Sequence, residues 1–563
     1  MKIQIGKFLN KRLKELGIQQ VFGVPGDFNL SYLEQIEESD DLEFVGNCNE
    51  LNAAYATDGY SRNKGFGAFV TTYGVGDLSA IGGIAGSYTE NIAVIHISGA
   101  PPLHAMQNKA LLHHTLVDGN YHNVMNCMKE FTVAQTLLTP SNAAYEIDRV
   151  LKTCWLERRP VHLQLPSDIT HLEIEVDDQP LILPKQKSDQ KQLEDVLTLL
   201  SQMMNTAKTP VIVVDIEADR FNIVPSIINI SQRFNIPYVC LSPAKNIIDE
   251  HSALYLGIYA GVATQPDIKQ LVENSDCLIG IGLRFTDAST ALFTHKINEQ
   301  SFIDIKRYDL AIGNRQFPGI IMSELLSRLE TNSTIEPKID LVKKVEMQAQ
   351  PIVVQNKADK VYQNIFWQYI EEFIHEDDII FGEVGTSNIA LSSLKLPKTA
   401  KYIAQPIWGA IGYTVPALFG SLMAEKDRRQ LLFIGDGSLQ LTVQEISSMV
   451  RYGLKPIIFI LNNYGYTIER FILGKHAKYN DVHNWQYTKL MEVFDENNAY
   501  TTAIVETISD LEQALSIATK HENLTLIEVR LDPLDAPEKL KTFAKAFAKY
   551  DYGEKFYAQM VND

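Results

Sequence analysis

The 563-residue chain lacks the features that mark several large protein classes. It has five cysteines, Cys48, Cys127, Cys154, Cys240 and Cys277, an odd number with no Cys-x-x-Cys pair. That argues against a disulfide framework and a zinc site, and it suits a reduced, cytoplasmic setting. Basic residues are outnumbered, 51 Lys and Arg against 69 Asp and Glu, for a net charge of −18. No basic stripe interrupts the acidity, so nucleic acid is not an expected partner. No run of about 18 apolar residues offers a membrane span, and no secretory leader pattern is present. Low-complexity tracts and short repeats are absent. Gly280-Ile281-Gly282 lacks the third glycine and the ribose-binding acid of a dinucleotide fingerprint, and reads as a strand-end turn.

What is there is an ordinary globular composition, 45% hydrophobic, in a chain long enough for about three or four domains of roughly 150 residues. Apolar runs alternate with helical periodicity throughout, which predicts α/β blocks with parallel sheets. The first block covers 1–180, with strands at "FVGNC", "GAFVTTYG", "IAVIHISG" and "RRPVHLQLPSD". It opens on an amphipathic helix whose Phe8, Leu9, Leu13 and Leu16 are core candidates. A polar linker follows, Asp177 to Gln192. The second block covers 190–340, with strands "PVIVVD", "PYVCL" and "CLIGIG". A second linker spans Thr331 to Lys360. The third block, 355–563, ends in a helix at "APEKLKTFAKAFAKYDYG".

The third block contains "LLFIGDGSLQLTVQEISSMVRYGLKPIIFILNNYGYTIER". Leu431–Ile434 and Pro456–Leu461 read as buried strands joined by one helix carrying Val443, Ile446, Met449 and Val450 and closed by Gly453. A parallel unit of this kind puts both strand ends on one edge, where open α/β sheets bind ligands. Those ends are Gly435-Asp436-Gly437-Ser438 and Asn462-Asn463. One carboxylate and one amide suit Mg²⁺, which takes few protein oxygens and fills its octahedron with phosphate and water. The glycines allow close backbone approach and the helix start favours an anion. An Asp helix cap followed by an Asn turn fits the same residues, and the local pattern does not separate the two.

Gly-Asp-Gly followed about 25 residues later by Asn-Asn resembles the thiamine diphosphate signature. The chain as a whole is similar to the thiamine diphosphate-dependent 2-oxo acid decarboxylases, the pyruvate, indolepyruvate and branched-chain 2-keto acid enzymes. "VFGVPGDFN", "NCNELNAAYATDGYSR", "LLHHTL" and "NNYGYTIER" narrow the match. The resemblance implies three open parallel-sheet domains: pyrimidine-binding, middle regulatory-type and diphosphate-binding. It implies Mg²⁺ held by Asp436, Asn463 and the Gly465 carbonyl, with Thr386, Gly437 and Ser438 near the diphosphate. Gly409, Ile411 and Ile468 would also touch the cofactor, Ile411 as the wedge that bends it. Glu50 would hydrogen-bond the pyrimidine and promote formation of the ylid. Asp27, His113, His114 and Glu469 would handle the protons that turn the later enamine into an aldehyde. Read alone, Glu50 is an acid at a helix start and the histidines are two exposed imidazoles, poor joint metal ligands if helical because neighbours then face apart.

Two departures from the family pattern bear on substrate and regulation. Glu217 and Ala218 stand where fungal pyruvate decarboxylases often carry a cysteine pair implicated in activation. Ala288 stands where pyruvate-type enzymes place an aromatic residue, which should enlarge a pocket formed with Val384, Asn388, Ile468, Phe543 and Phe547. The expected activity is non-oxidative decarboxylation of a branched-chain, aromatic or pyruvate-like 2-oxo acid. The alternatives are an acetolactate-synthase-like carboligase and an inactive cofactor-binding homologue. The resemblance also implies a homodimer at minimum, extended to a homotetramer, with the site between subunits.

Overall fold

The computed structural model describes residues 1–338 and 356–560. Most of the second linker, 339–355, lies outside the described residues. Two six-stranded sheets and one seven-stranded sheet make up the frame.

The first sheet places its strands in the order Glu43–Gly46, Gln20–Gly23, Gly67–Thr72, Val94–Ala100, Val161–Pro166, Gln135–Leu137, all parallel. The last sheet runs Lys401–Ile403, Ile379–Gly382, Gln430–Gly435, Ile457–Asn462, Leu524–Arg530, Tyr500–Val505, again all parallel. Numbered along the chain, both orders are second, first, third, fourth, sixth, fifth. Each reverses direction between its first and third strands, and that reversal is where open sheets leave a crevice.

The middle sheet has five parallel strands from Tyr255–Ile258 to Phe302–Ile305, then two antiparallel ones, Asp309–Ile312 and Arg315–Pro318. The antiparallel edge departs from an all-parallel block. Only Gly313 and Asn314 separate its two strands, too few for a crossover. A two-stranded pair, Lys2–Gln4 with Glu173–Glu175, adds a feature with no sequence signal.

Helix Ile5–Glu15 buries Phe8, Leu9 and Leu13 as its periodicity predicts. The first and last sheets share one core. Phe22, Tyr60 and Ile84 meet Phe419, Leu422 and Ile446 in it. Helices Glu50–Lys64 and Thr414–Ala424 cross within that layer, almost backbone to backbone. A Cβ on Gly420 would sit 1.7 Å from the Ala56 carbonyl oxygen, and one on Gly59 2.0 Å from that of Ala417. The middle sheet has separate cores on its two faces.

The single helix expected after Asp436 is two: Asp436–Thr442 and Glu445–Arg451. The break is made by three-residue turns, with the Ile446 amide bonding Val443 and the Ser447 amide bonding Gln444. It is held from outside. Thr442 donates to the Gly412 carbonyl at 2.6 Å, and the Glu445 carboxylate accepts from Asn52 and Asn47 at 2.7 and 2.8 Å.

Candidate active site

Asp436 and Asn463 end neighbouring parallel strands of the last sheet, so their side chains share one edge. Asn462 is structural: its amide donates to Glu528 at 2.7 Å and Asn484 at 2.9 Å. Asn463 turns the other way. Its amide oxygen lies 2.8 Å from the Gly465 carbonyl oxygen and 3.2 Å from Asp436 Oδ1, and its nitrogen 3.0 Å from Thr467 Oγ1. A half-turn of the amide would convert these contacts into hydrogen bonds. Separations of about 3 Å, as from the Asn463 oxygen to each of the other two, also suit neighbouring corners of an octahedron with metal–oxygen bonds of about 2.1 Å. Asp436 is 1% exposed, and its Oδ2 is buried with no partner. Burial pushes its carboxyl up to about 7, against hydrogen bonds from the Gly437 and Gly465 amides. A carboxylate so costly to ionise, with an orphaned oxygen, fits a hard divalent cation.

The surrounding backbone leaves room for an anionic ligand. Added Cβ atoms on Gly385, Gly409 and Gly435 would meet nothing within 4 Å, and the first two have φ of +120° and +66°. Gly385 caps the helix that begins at Thr386, and Gly437 and Ser438 lie in the first turn after Asp436. Gly465, at φ +138°, passes so close to Asn480 that a Cβ would lie 2.0 Å from its carbonyl oxygen. Only glycine fits there. Ile411 and Trp408 are exposed on the adjoining loop.

The first sheet brings the other candidates together. His113 Nε2 lies 2.8 Å from Asp27 Oδ2, and His114 Nε2 3.7 Å from Oδ1 of the same residue. The two histidines do not face apart, because their segment is a turn and not a helix, with His114 at φ +60°. Their ring centroids are 4.5 Å apart, and Phe28 stacks on His113 at 5.0 Å. Glu50 opens its helix, where Asn49 accepts from the Asn52 amide as the cap. A Cβ on Gly76 would lie 3.2 Å from Glu50 Oε1.

The pocket candidates gather around the C-terminal helix, Glu538–Tyr552. Helices Thr467–Ile472, with Ile468, and Thr386–Leu391, with Asn388, pack against it. Val384 lies just ahead of the second. Phe543 and Phe547 on the C-terminal helix have ring centroids 5.6 Å apart. Ala288 lies half-buried on the short helix Asp287–Thr290, next to a turn, Gly261–Ala263, that also meets the C-terminal helix. Asn388 is committed to a partner: its oxygen accepts from the Tyr402 hydroxyl at 2.5 Å. Glu469 is exposed. Among the described residues, no hydrogen bond or ion pair joins it to Asp27, His113 or His114, and none joins Glu50 to Asp436 or Asn463.

One residue escaped the sequence reading. Glu383 is buried at the end of strand Ile379–Gly382, beside the Asp436 strand. Its carboxylate accepts from the hydroxyl and amide of Thr414 and so anchors the loop that carries Gly409 and Ile411. Burial pushes it up to about 7. Its signal was an acid directly after a buried apolar strand, the same signal that identified Asp436.

Comparison with known proteins gives the chain a family. Three family models match: the N-terminal thiamine pyrophosphate-binding domain over residues 3–121, the central domain of the same enzymes over 197–322, and the C-terminal binding domain over 383–529. Pyruvate decarboxylase isozyme 2 of Saccharomyces cerevisiae is 37% identical over 552 residues, 96% of this chain and 97% of the relative. The chain belongs to the thiamine diphosphate-dependent 2-oxo acid decarboxylase family. The Candida glabrata pyruvate decarboxylase is 36% identical over 562 residues, 97% of this chain and 98% of the relative. The Kluyveromyces lactis enzyme is 36% identical over 550 residues, 96% and 97%. The cofactor of this decarboxylase is thiamine diphosphate, with Mg²⁺ as its usual companion. Among the described residues, no helix is long and apolar enough to cross a membrane.

Proposed function

We propose that this decarboxylase converts pyruvate and larger branched-chain or aromatic 2-oxo acids to aldehydes and CO₂ in the cytoplasm. Asp436, Asn463 and the Gly465 carbonyl hold Mg²⁺, and Thr386, Gly437 and Ser438, beside the open space at Gly385 and Gly435, take the diphosphate. The converging oxygens of Asp436, Asn463 and Gly465 are the observation that carries this reading. Gly409, Ile411 and Ile468 line the rest of the cofactor. Bound thiamine diphosphate supplies a nucleophilic carbon and an electron sink. Glu50 holds a proton toward the cofactor's pyrimidine. Asp27, His113 and His114, held in contact, pass protons to the reacting groups as general acids and bases, and so complete and release the aldehyde. Glu469 joins them across a subunit boundary. This proton-rich cluster favours aldehyde release over carboligation, and the intact Glu50, Asp436 and Asn463 count against an inactive homologue.

Copies pair at least as dimers, and dimers pair as tetramers. Among the described residues, no hydrogen bond or ion pair joins Glu50, Asp27, His113 or His114 to Asp436 or Asn463. Exposed apolar side chains flank both, with Val75 and Leu78 near Glu50 and Ile411 and Leu441 near Asp436, as an interface would require. Co-expressing Glu50→Gln with Asp436→Ala should restore activity at about a quarter of the sites, because a mixed dimer holds one site with both lesions and one with neither. No restoration would place each site within a single chain.

Ala288 supports the larger substrates. Space for two methylenes, each worth roughly 0.8 kcal/mol when buried, favours a longer side chain about ten-fold. A panel of 2-oxo acids with aldehyde detection tests this. Wild type should turn over 2-oxoisovalerate or phenylpyruvate, and Ala288→Phe should shift preference toward pyruvate. Highest kcat/KM on pyruvate in wild type, with an unchanged ranking in Ala288→Phe, would refute the enlarged pocket.

A further inference from the structure

We propose that a buried chain of Asp77, Thr71, His96 and His162 is a positioning device that holds the proton-handling groups of the first sheet in register. It rests on the roles proposed above for Glu50, Asp27 and the histidine pair.

The segment Thr72–Gly76 touches all three groups. A Cβ on Gly26, next to Asp27, would lie 2.6 Å from Thr72 Cβ; one on Gly74 would lie 1.9 Å from the His114 carbonyl oxygen; and Gly76 abuts Glu50 Oε1. Moving this segment therefore moves every member of the half-site. Asp77 ties it down: Oδ2 accepts from the Gly74 amide and the Ser98 hydroxyl, both at 2.9 Å.

The other oxygen starts a chain that runs in one direction. Thr71 donates to Asp77 Oδ1 at 2.6 Å, so its oxygen is free to accept from His96 Nε2 at 2.8 Å. With that nitrogen protonated, His96 Nδ1 accepts from His162 Nδ1 at 3.0 Å. His162 Nε2 is then a bare lone pair, buried with no partner. With both imidazoles neutral and Asp77 ionised, donor and acceptor counting gives this set of tautomers. Burial alone would raise the Asp77 carboxyl, but His96, whose Nε2 is 3.4 Å from Oδ1, and the hydrogen bond from Thr71 hold it below the usual range. Burial and the neighbouring His96 push His162 down to about 3, so it is neutral. Phe69 stacks on His96 at 4.6 Å and fixes its ring. Asp77, Thr71, His96 and His162 are all fully buried.

The test compares His162→Leu, which fills the space without a donor, with His162→Asn, whose amide nitrogen can replace Nδ1. The full-length holoenzyme is assayed for kcat, KM, thiamine diphosphate affinity by fluorescence titration, and melting temperature. His162→Leu should lower kcat by about ten-fold, as sub-ångström misplacement does, with KM and cofactor affinity within about two-fold of wild type. His162→Asn should recover most of the loss. Equal behaviour of the two variants, or a loss of kcat that tracks loss of cofactor affinity, would overturn the proposal. If His162→Leu does not fold, Thr71→Val cuts the same chain at another link and should show the same split; unchanged kcat there overturns it equally. Failure of the proton-handling roles would show separately, as an unimpaired Glu50→Gln.

Discussion

Each six-stranded sheet carries one buried aspartate just beyond its third strand, Asp77 after Gly67–Thr72 and Asp436 after Gln430–Gly435. The sheets share a strand order, but the two acids are in opposite states. Asp77 has partners on both oxygens and lies below the usual carboxylate range. Asp436 leaves Oδ2 unpartnered and is pushed up to about 7 by burial. A satisfied buried acid belongs to the scaffold, while an unsatisfied one marks where something binds. The shared topology supplies the place and the local partners decide the chemistry.

The largest test of that contrast removes the unsatisfied acid. Asp436→Ala should lose Mg²⁺ and thiamine diphosphate together and lower activity by about a thousand-fold or more, because Asp436 is the one carboxylate proposed to hold the metal. Metal and cofactor content of dialysed protein checks this, and losing one alone would split the shared site. Glu50→Gln attacks the other sheet. It should keep metal and cofactor yet slow hydrogen–deuterium exchange at the thiazolium C2 by about a hundred-fold. Wild-type exchange in this variant would remove Glu50 from that role.

A smaller effect concerns Glu383. Its folded value of about 7 lies above the ordinary 4.5, chiefly through burial. Its contribution to stability is therefore full below about 4.5 and lost as pH rises through about 7, up to roughly 3 kcal/mol. Glu383→Gln does not titrate, so its melting temperature should gain on wild type between pH 5 and pH 8. Parallel curves would mean that the acid is not held protonated. The smallest expected signal is kinetic. Ala218 is buried without a thiol, and Glu217 is engaged by the Asn91 amide at 3.0 Å. Substrate dependence should be hyperbolic, and a clearly sigmoidal curve would require an activating site elsewhere.

Much of this site was legible from local pattern. The Gly-Asp-Gly and Asn-Asn knots end strands that are apolar on both faces, a pattern that fits a helix cap equally well, and the resemblance to the thiamine diphosphate signature pointed to the metal. The shared strand order was not legible, since it depends on pairings between residues far apart in the chain. The break at Val443–Gln444 was hidden because Glu445 and Thr442 are recruited by Asn52 and Gly412, and periodicity within the segment cannot register partners outside it. His96 and His162 sit inside strands, where a lone imidazole among apolar residues carries no sign of a partner. The convergence of His113 and His114 on Asp27 depended on a left-handed turn that neither sequence neighbour announces.

The crossing of helices Glu50–Lys64 and Thr414–Ala424 gives the molecule a common point of failure. At Gly59 and Gly420 the obstacle to a side chain is the main chain of the opposite helix, which cannot rotate out of the way. One added methyl would therefore act as a shim, tilting the two sheets apart and disturbing the metal end and the proton end in the same stroke. Substitutions confined to either sheet could not absorb it.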